Sequence, residues 1–73
     1  MAETLDARGL KCPLPVLKAR KAMKPLASGD ELTVLATDPG APKDFREFCS
    51  ATGDTLVDSR EDGDAFVIVL RKA

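Results

Sequence analysis

The sequence predicts an α+β fold: a two-layer α/β sandwich in which two helices cover one face of a four-stranded mixed sheet, in the order β-α-β-α-β-β. Three observations predict it. Along the chain the apolar spacing switches between two residues and about 3.6, the periods of strand and helix. The five glycines each stand at a junction between such stretches. The last stretch, Ala65 to Arg71, is apolar on both faces (Phe66, Ile68, Leu70 and Ala65, Val67, Val69), as a strand central in its sheet usually is.

Taken in order, Thr4 to Ala7 has Leu5 as its only large apolar residue and reads as a brief edge strand. Arg8-Gly9-Leu10-Lys11 is a loop leading into Cys12-Pro13-Leu14-Pro15. From Pro13 to about Leu26, Val16, Ala19, Met23 and Leu26 fall at helical spacing, with Lys18, Lys21 and Lys24 largely off that stripe. Prolines at the first and third helical positions cost little, because those amides have no partner within the helix. Ser28-Gly29-Asp30 is a stop and turn. Glu31 to Thr37 alternates as a strand, with Leu32, Val34 and Ala36 on one face. Asp38-Pro39-Gly40-Ala41-Pro42 then opens a second helix whose stripe is Ala41, Phe45, Phe48, Cys49 and Thr52, with Asp38 as the expected N-cap. Gly53 suits the position just past that helix. Thr55 to Arg60 and Ala65 to Arg71 are strands joined by Glu61-Asp62-Gly63-Asp64, an Asp-Gly hairpin signal. Each helix has one apolar stripe, so both can lie on the same face of the sheet.

The 73 residues form one domain, 1–73, with 44% hydrophobic and 32% charged residues. That composition argues against disorder and collagen-like structure. The longest apolar run, Ala65 to Leu70, is far below the roughly 20 residues of a spanning helix. The start lacks the basic-then-apolar pattern of a signal peptide, so a cytoplasmic protein away from membranes is expected. With no histidine, Ser-His and Cys-His catalysis and His-ligated metal sites are excluded within one chain, and two cysteines cannot close a four-cysteine zinc site. No metal and no resident cofactor are expected. No Trp or Tyr is present for a base-stacking platform and the pI is near 5.3, so no direct nucleic-acid contact is expected either.

Charge is segregated. Arg8, Lys11, Lys18, Arg20, Lys21 and Lys24 lie in a stretch without an acidic residue, while the rest of the chain has a balance of −7. The stretch reads either as a docking surface for an anionic partner or as a solvated helix face. Cys12 stands immediately before the first helix. There the helix dipole and the nearby Arg8 and Lys11 favour thiolate, and Leu14 is left as the main amide donor between the two prolines. Pro13 and Pro15 fix φ and hold the cysteine at a defined outward corner. The competing reading is a small buried apolar residue, but placement after a polar loop favours a reactive thiol. Cys49, beside Phe48 on the apolar stripe, reads as buried and inert. Asp38, at the C-terminal end of a strand, lies where sites of α/β sheets gather, although its reading as a cap leads.

Asp6-Ala7-Arg8-Gly9-Leu10-Lys11-Cys12-Pro13-Leu14-Pro15 resembles the D-x-x-G-x-x-C-P-x-P signature of the TusA/SirA-like family of sulfur carrier proteins. The likeness continues through Ser28-Gly29-Asp30, Ala36-Thr37-Asp38-Pro39-Gly40, Asp44-Phe45 and Phe48-Cys49, nearly the whole chain. The resemblance implies the same two-layer fold and a transient persulfide on Cys12, the catalytic residue. It implies loading by a cysteine desulfurase or a rhodanese and discharge to an acceptor thiol, commonly in a relay ending in 2-thiouridine of tRNA. Under it Arg8, Lys11, Leu14, Leu17, Arg20, Lys24 and Asp38 become candidate partner-docking residues, with Gly9, Pro13 and Pro15 as structural support. A monomer meeting donor and acceptor proteins is expected. The alternatives are a carrier in dissimilatory sulfur oxidation, a Cys12–Cys49 redox protein and a non-catalytic regulatory or interaction module.

Overall fold

A computed structural model describes residues 2–73, so that Met1, first in the expected domain, lies outside the described residues. The six elements follow the expected order: β1 (Ala2–Ala7), α1 (Leu14–Met23), β2 (Glu31–Ala36), α2 (Ala41–Thr52), β3 (Thr55–Asp62) and β4 (Ala65–Arg71). The strands lie in the order β1-β2-β4-β3. β1 runs parallel to β2, while β4 is antiparallel to both of its neighbours, so the sheet is mixed and β4 is central. β1 is the edge strand expected, but it begins at Ala2, because it pairs with β2 along its full length from Ala2↔Glu31 to Ala7↔Ala36.

The alternation in β2 buries Leu32, Val34 and Ala36. They meet Ile68 and Leu70 of β4, Ala19 and Met23 of α1, and Ala41, Phe45, Phe48 and Cys49 of α2 in one cluster. Both helices therefore cover the same face of the sheet. On the other face Val67 is still buried, flanked across the ladder by Leu35 and Arg60.

Element ends depart from the sequence expectation where proline decides them. α1 stops at Met23 rather than Leu26, with Lys24 as its cap. Pro25 has no N–H to extend the helical ladder, and the Leu26 amide instead closes a tighter turn on the Met23 carbonyl at 3.1 Å. Leu26 still packs on the core. Pro13 is the N-cap and Pro15 the second helical residue, so the prolines sit one place earlier than expected, and Cys12 precedes the cap. α2 is capped by Gly40, not by Asp38. An Asp38 cap would place Pro42 fourth in the helix, where an N–H is required; starting at Ala41 puts it second, where none is. Asp38 instead closes the turn before the helix, accepting Gly40 N–H on Oδ2 at 3.0 Å and Ala41 N–H on its carbonyl at 3.0 Å. Gly53 ends α2 at φ 84°, donating to the Cys49 carbonyl. The β3–β4 turn is tighter than expected: Asp62 pairs with Ala65, leaving only Gly63-Asp64 as the loop. Gly63 has φ 63°, and no other type of residue among those described has positive φ, the pattern of a turn with glycine first.

Candidate functional site

Cys12 is an exposed free thiol at the junction of the β1–α1 loop and α1, joined to Pro13 by a cis peptide bond. It opens onto a cleft between the two helices, of about 280 Å³, lined by Cys12, Pro13, Val16 and Arg20 on one side and Asp44, Glu47 and Phe48 of α2 on the other. Arg20 lies over the Phe48 ring, 5.8 Å from its centroid, and so turns toward an aromatic wall of the cleft.

The electrostatics reverse the expectation for the thiol. Its pKa is raised, first by the Asp44 carboxylate, which lines the same cleft and acts as an acceptor toward the thiol, then through partial desolvation and the negative charges of Asp44, Asp38 and Glu47. The helix end offers little in return. Pro13 and Pro15 have no N–H, and the Leu14 amide, expected to face the sulfur, donates to the Lys11 carbonyl at 2.8 Å. The expected thiolate stabilisation thus fails for a local reason: two of the first amides are missing and the Leu14 amide is engaged, while α2 supplies carboxylates.

The other residues singled out by sequence lie in several different places. Arg20 and Pro13 share the cleft with Cys12, and Asp38 is near enough to act on its charge. Leu14 and Leu17 are exposed on the outer face of α1, at 47% and 52%. Gly9, Lys11 and Asp38 line a separate hollow with Leu10, Thr37 and Pro39. Gly9 there has φ 81°, open to glycine at no steric cost, and its amide donates to Thr37 Oγ1 at 2.9 Å. Arg8 and Lys24 are not brought to the cleft. The Arg8 guanidinium grips Asp6, Nε to Oδ1 at 2.9 Å and a terminal nitrogen to Oδ2 at 3.0 Å. Lys24 lies at the far end of α1 among Met23, Thr52 and Lys72. Pro15 is buried beneath the helix start.

Asp44 and Glu47 escaped sequence reasoning as parts of the site. Their signal was the i, i+3, i+4 spacing of Asp44, Glu47 and Phe48, which puts all three on one edge of α2. Cys49 is buried, and burial first, then Asp54, pushes its thiol up. Among the described residues no cluster of acidic or thiol side chains is placed to hold a metal ion, and no helix is long and apolar enough to cross a membrane.

A family model described as sulfurtransferase TusA matches residues 3–72. A Neisseria meningitidis protein, provisionally named a sulfur carrier, is 54% identical over 70 residues, which is 96% of this chain and 95% of that protein. Sulfur carrier protein TusA of Allochromatium vinosum is 46% identical over 71 residues, 97% of this chain and 93% of the relative. The crystal structure of a SirA-like protein from Desulfitobacterium hafniense superposes with a TM-score of 0.83 at 25% identity, covering 94% of this chain and 95% of the other.

Proposed function

From the fact that the chain belongs to the TusA sulfurtransferase family of sulfur carriers, we propose that it carries sulfane sulfur as a persulfide on Cys12. One observation supports this above the others: of the two cysteines, Cys12 is exposed at the mouth of an open cleft and Cys49 is buried. Only the first can meet a cysteine of another protein without unfolding. The same contrast weighs against a Cys12–Cys49 redox couple.

The chemistry asks little of the chain beyond a reachable sulfur. In loading, the Cys12 thiolate attacks the outer sulfur of a donor persulfide. A new S–S bond forms at Cys12, the donor's S–S bond breaks, and the donor cysteine leaves as a thiolate that takes up the proton Cys12 released. In discharge, an acceptor thiolate attacks the sulfur attached to Cys12, which then leaves in turn. One sulfane sulfur moves and nothing is oxidised or reduced overall, so neither a metal nor a histidine is required. The donor is a cysteine desulfurase or a rhodanese. The acceptor is the first thiol of a relay toward 2-thiouridine of tRNA, the destination that membership of the family favours. Exposed Leu14 and Leu17 beside Arg20 form the surface on which those partners dock, with Lys11 and Asp38 at its loop edge.

Intact-protein mass after incubation with a cysteine desulfurase and cysteine tests the reading. Wild type and Cys49→Ser are expected to gain one reductant-labile sulfur atom, and Cys12→Ser none. A Cys12→Ser protein that still gains the sulfur overturns it, as does a wild type that gains none from either a desulfurase or a rhodanese donor.

A further inference from the structure

We propose that Asp44, facing the carrier thiol across the cleft, is a positioning residue that keeps the empty Cys12 in its thiol form, so that small electrophiles and oxidants in solution do not consume it. The inference rests on the reading of Cys12 as the sulfur-bearing cysteine. Its basis is the arrangement of charge in the cleft. The charged side chains that line it or act on the thiol across it are Asp44 and Glu47 from α2, Asp38 from the loop after β2, and Arg20 from α1. None of the ion pairs among the described residues involves Asp44 or Glu47. Among the described residues the one cation lining the cleft, Arg20, lies over the Phe48 ring instead of pairing with the carboxylates.

A thiolate formed at Cys12 would therefore share the cleft with Asp44 and Glu47, neither of them neutralised by an ion pair among the described residues, with Asp38 adding its charge from outside. The usual source of compensation, a helix N-terminus, is weakened by Pro13 and Pro15, which have no N–H, and by the Leu14–Lys11 hydrogen bond. Since only the thiolate is nucleophilic, the exposed sulfur is accessible yet slow to react on its own. Accessibility and reactivity are thus set by different elements: the β1–α1 junction presents the sulfur, and α2 restrains it. Nothing in the sequence around Cys12 contains that restraint, because Asp44 lies 32 positions further along the chain.

The test is the rate of alkylation of Cys12 by iodoacetamide as a function of pH, followed by intact mass on the free full-length chain. Wild type is expected to show a midpoint above that of an ordinary cysteine. Asp44→Asn keeps the size of the side chain but removes its charge. It is expected to lower the midpoint by about one on the pH scale, which raises the rate near neutral pH about tenfold. Glu47→Gln should move the midpoint in the same direction by less. Raising salt to about 0.5 M should lower the wild-type midpoint without any substitution, since exposed charges are screened over a few ångströms at that ionic strength. If Asp44→Asn is natively folded and keeps the wild-type midpoint, the role is overturned. Should that variant not fold, an unmoved midpoint in both Glu47→Gln and high salt overturns it equally. Because alkylation needs no sulfur donor, these outcomes are independent of whether a persulfide forms at Cys12, so the two readings fail separately.

Discussion

Arg8 illustrates how far a residue's partners can differ from its neighbours in sequence. Four positions before Cys12, it reads as part of a positive surround for the thiol. Instead its guanidinium donates to the Asp6 side chain, and its backbone N–H donates to the same carboxylate, at Oδ1, at 3.1 Å. The Arg8 hydrogen bonds hold the Asp6 pKa at about 2, down from 3.8. A carboxylate depressed in this way favours the folded state above the unfolded value of 3.8 and loses that contribution as pH falls toward 2. Both side chains are exposed, so the effect on stability is small, but the titration itself is readable. In Arg8→Ala the Asp6 carboxyl, followed by carbon NMR, is expected to titrate above 2 but short of 3.8, because the backbone N–H of residue 8 still donates to it. A midpoint that stays near 2 would show that the strand end, not Arg8, sets it. At this scale the sequence carried the burial of Cys49 and the outward placement of Cys12. It did not carry the sign of the field around it, because that sign depends on side chains contributed by α2 and the loop before it.

Helix α1 has two faces of different character, and the inward stripe through Ala19 and Met23 was legible. Pro15, Ala19 and Met23 turn inward, while Leu14 and Leu17 remain exposed among basic residues. Large apolar side chains left in water beside charges of one sign are the mark of a surface meant to be covered. Arg20 lines the cleft as well, so under the proposed function it is where docking and chemistry would meet. Arg20→Glu is expected to slow sulfur loading roughly threefold to tenfold at low salt, the scale of one exposed charge interaction, and to flatten its salt dependence. Loading that keeps both its wild-type rate and its salt dependence would remove Arg20 from the docking surface. The salt dependence separates this from a direct effect on Cys12, which the alkylation profile reads by itself. What the pattern of apolar residues left open was the ends of the elements. Periodicity defines a stripe, but Pro25 ended α1 three residues early and Pro42 moved the start of α2, because a missing N–H acts at a single position.

Across the molecule, the cleft depends on the same few residues that hold the two layers together. Phe45 is fully buried and meets Phe48 edge to face, with ring centroids 6.3 Å apart and planes at 77°. Phe48 in turn is the wall on which Arg20 rests. Sequence spacing placed both rings on one stripe; that the first fills the core and the second borders the site follows only from how α2 sits against α1 and the sheet. Phe45→Ala removes a large buried side chain, at about 3–5 kcal/mol, from a chain whose whole stability at ordinary values per residue is about 4–11 kcal/mol. The urea midpoint is therefore expected to fall by about a quarter or more, and alkylation of Cys49, which shares the core with Phe45, should become measurable under native conditions. Leu17→Ala, on an exposed position, is expected to leave the urea midpoint within error while weakening loading. An unmoved midpoint in Phe45→Ala would mean that α2 is not anchored through this ring. The contrast between the two variants separates a surface that serves partners from a core that serves the fold, in a chain where the two are only one layer of side chains apart.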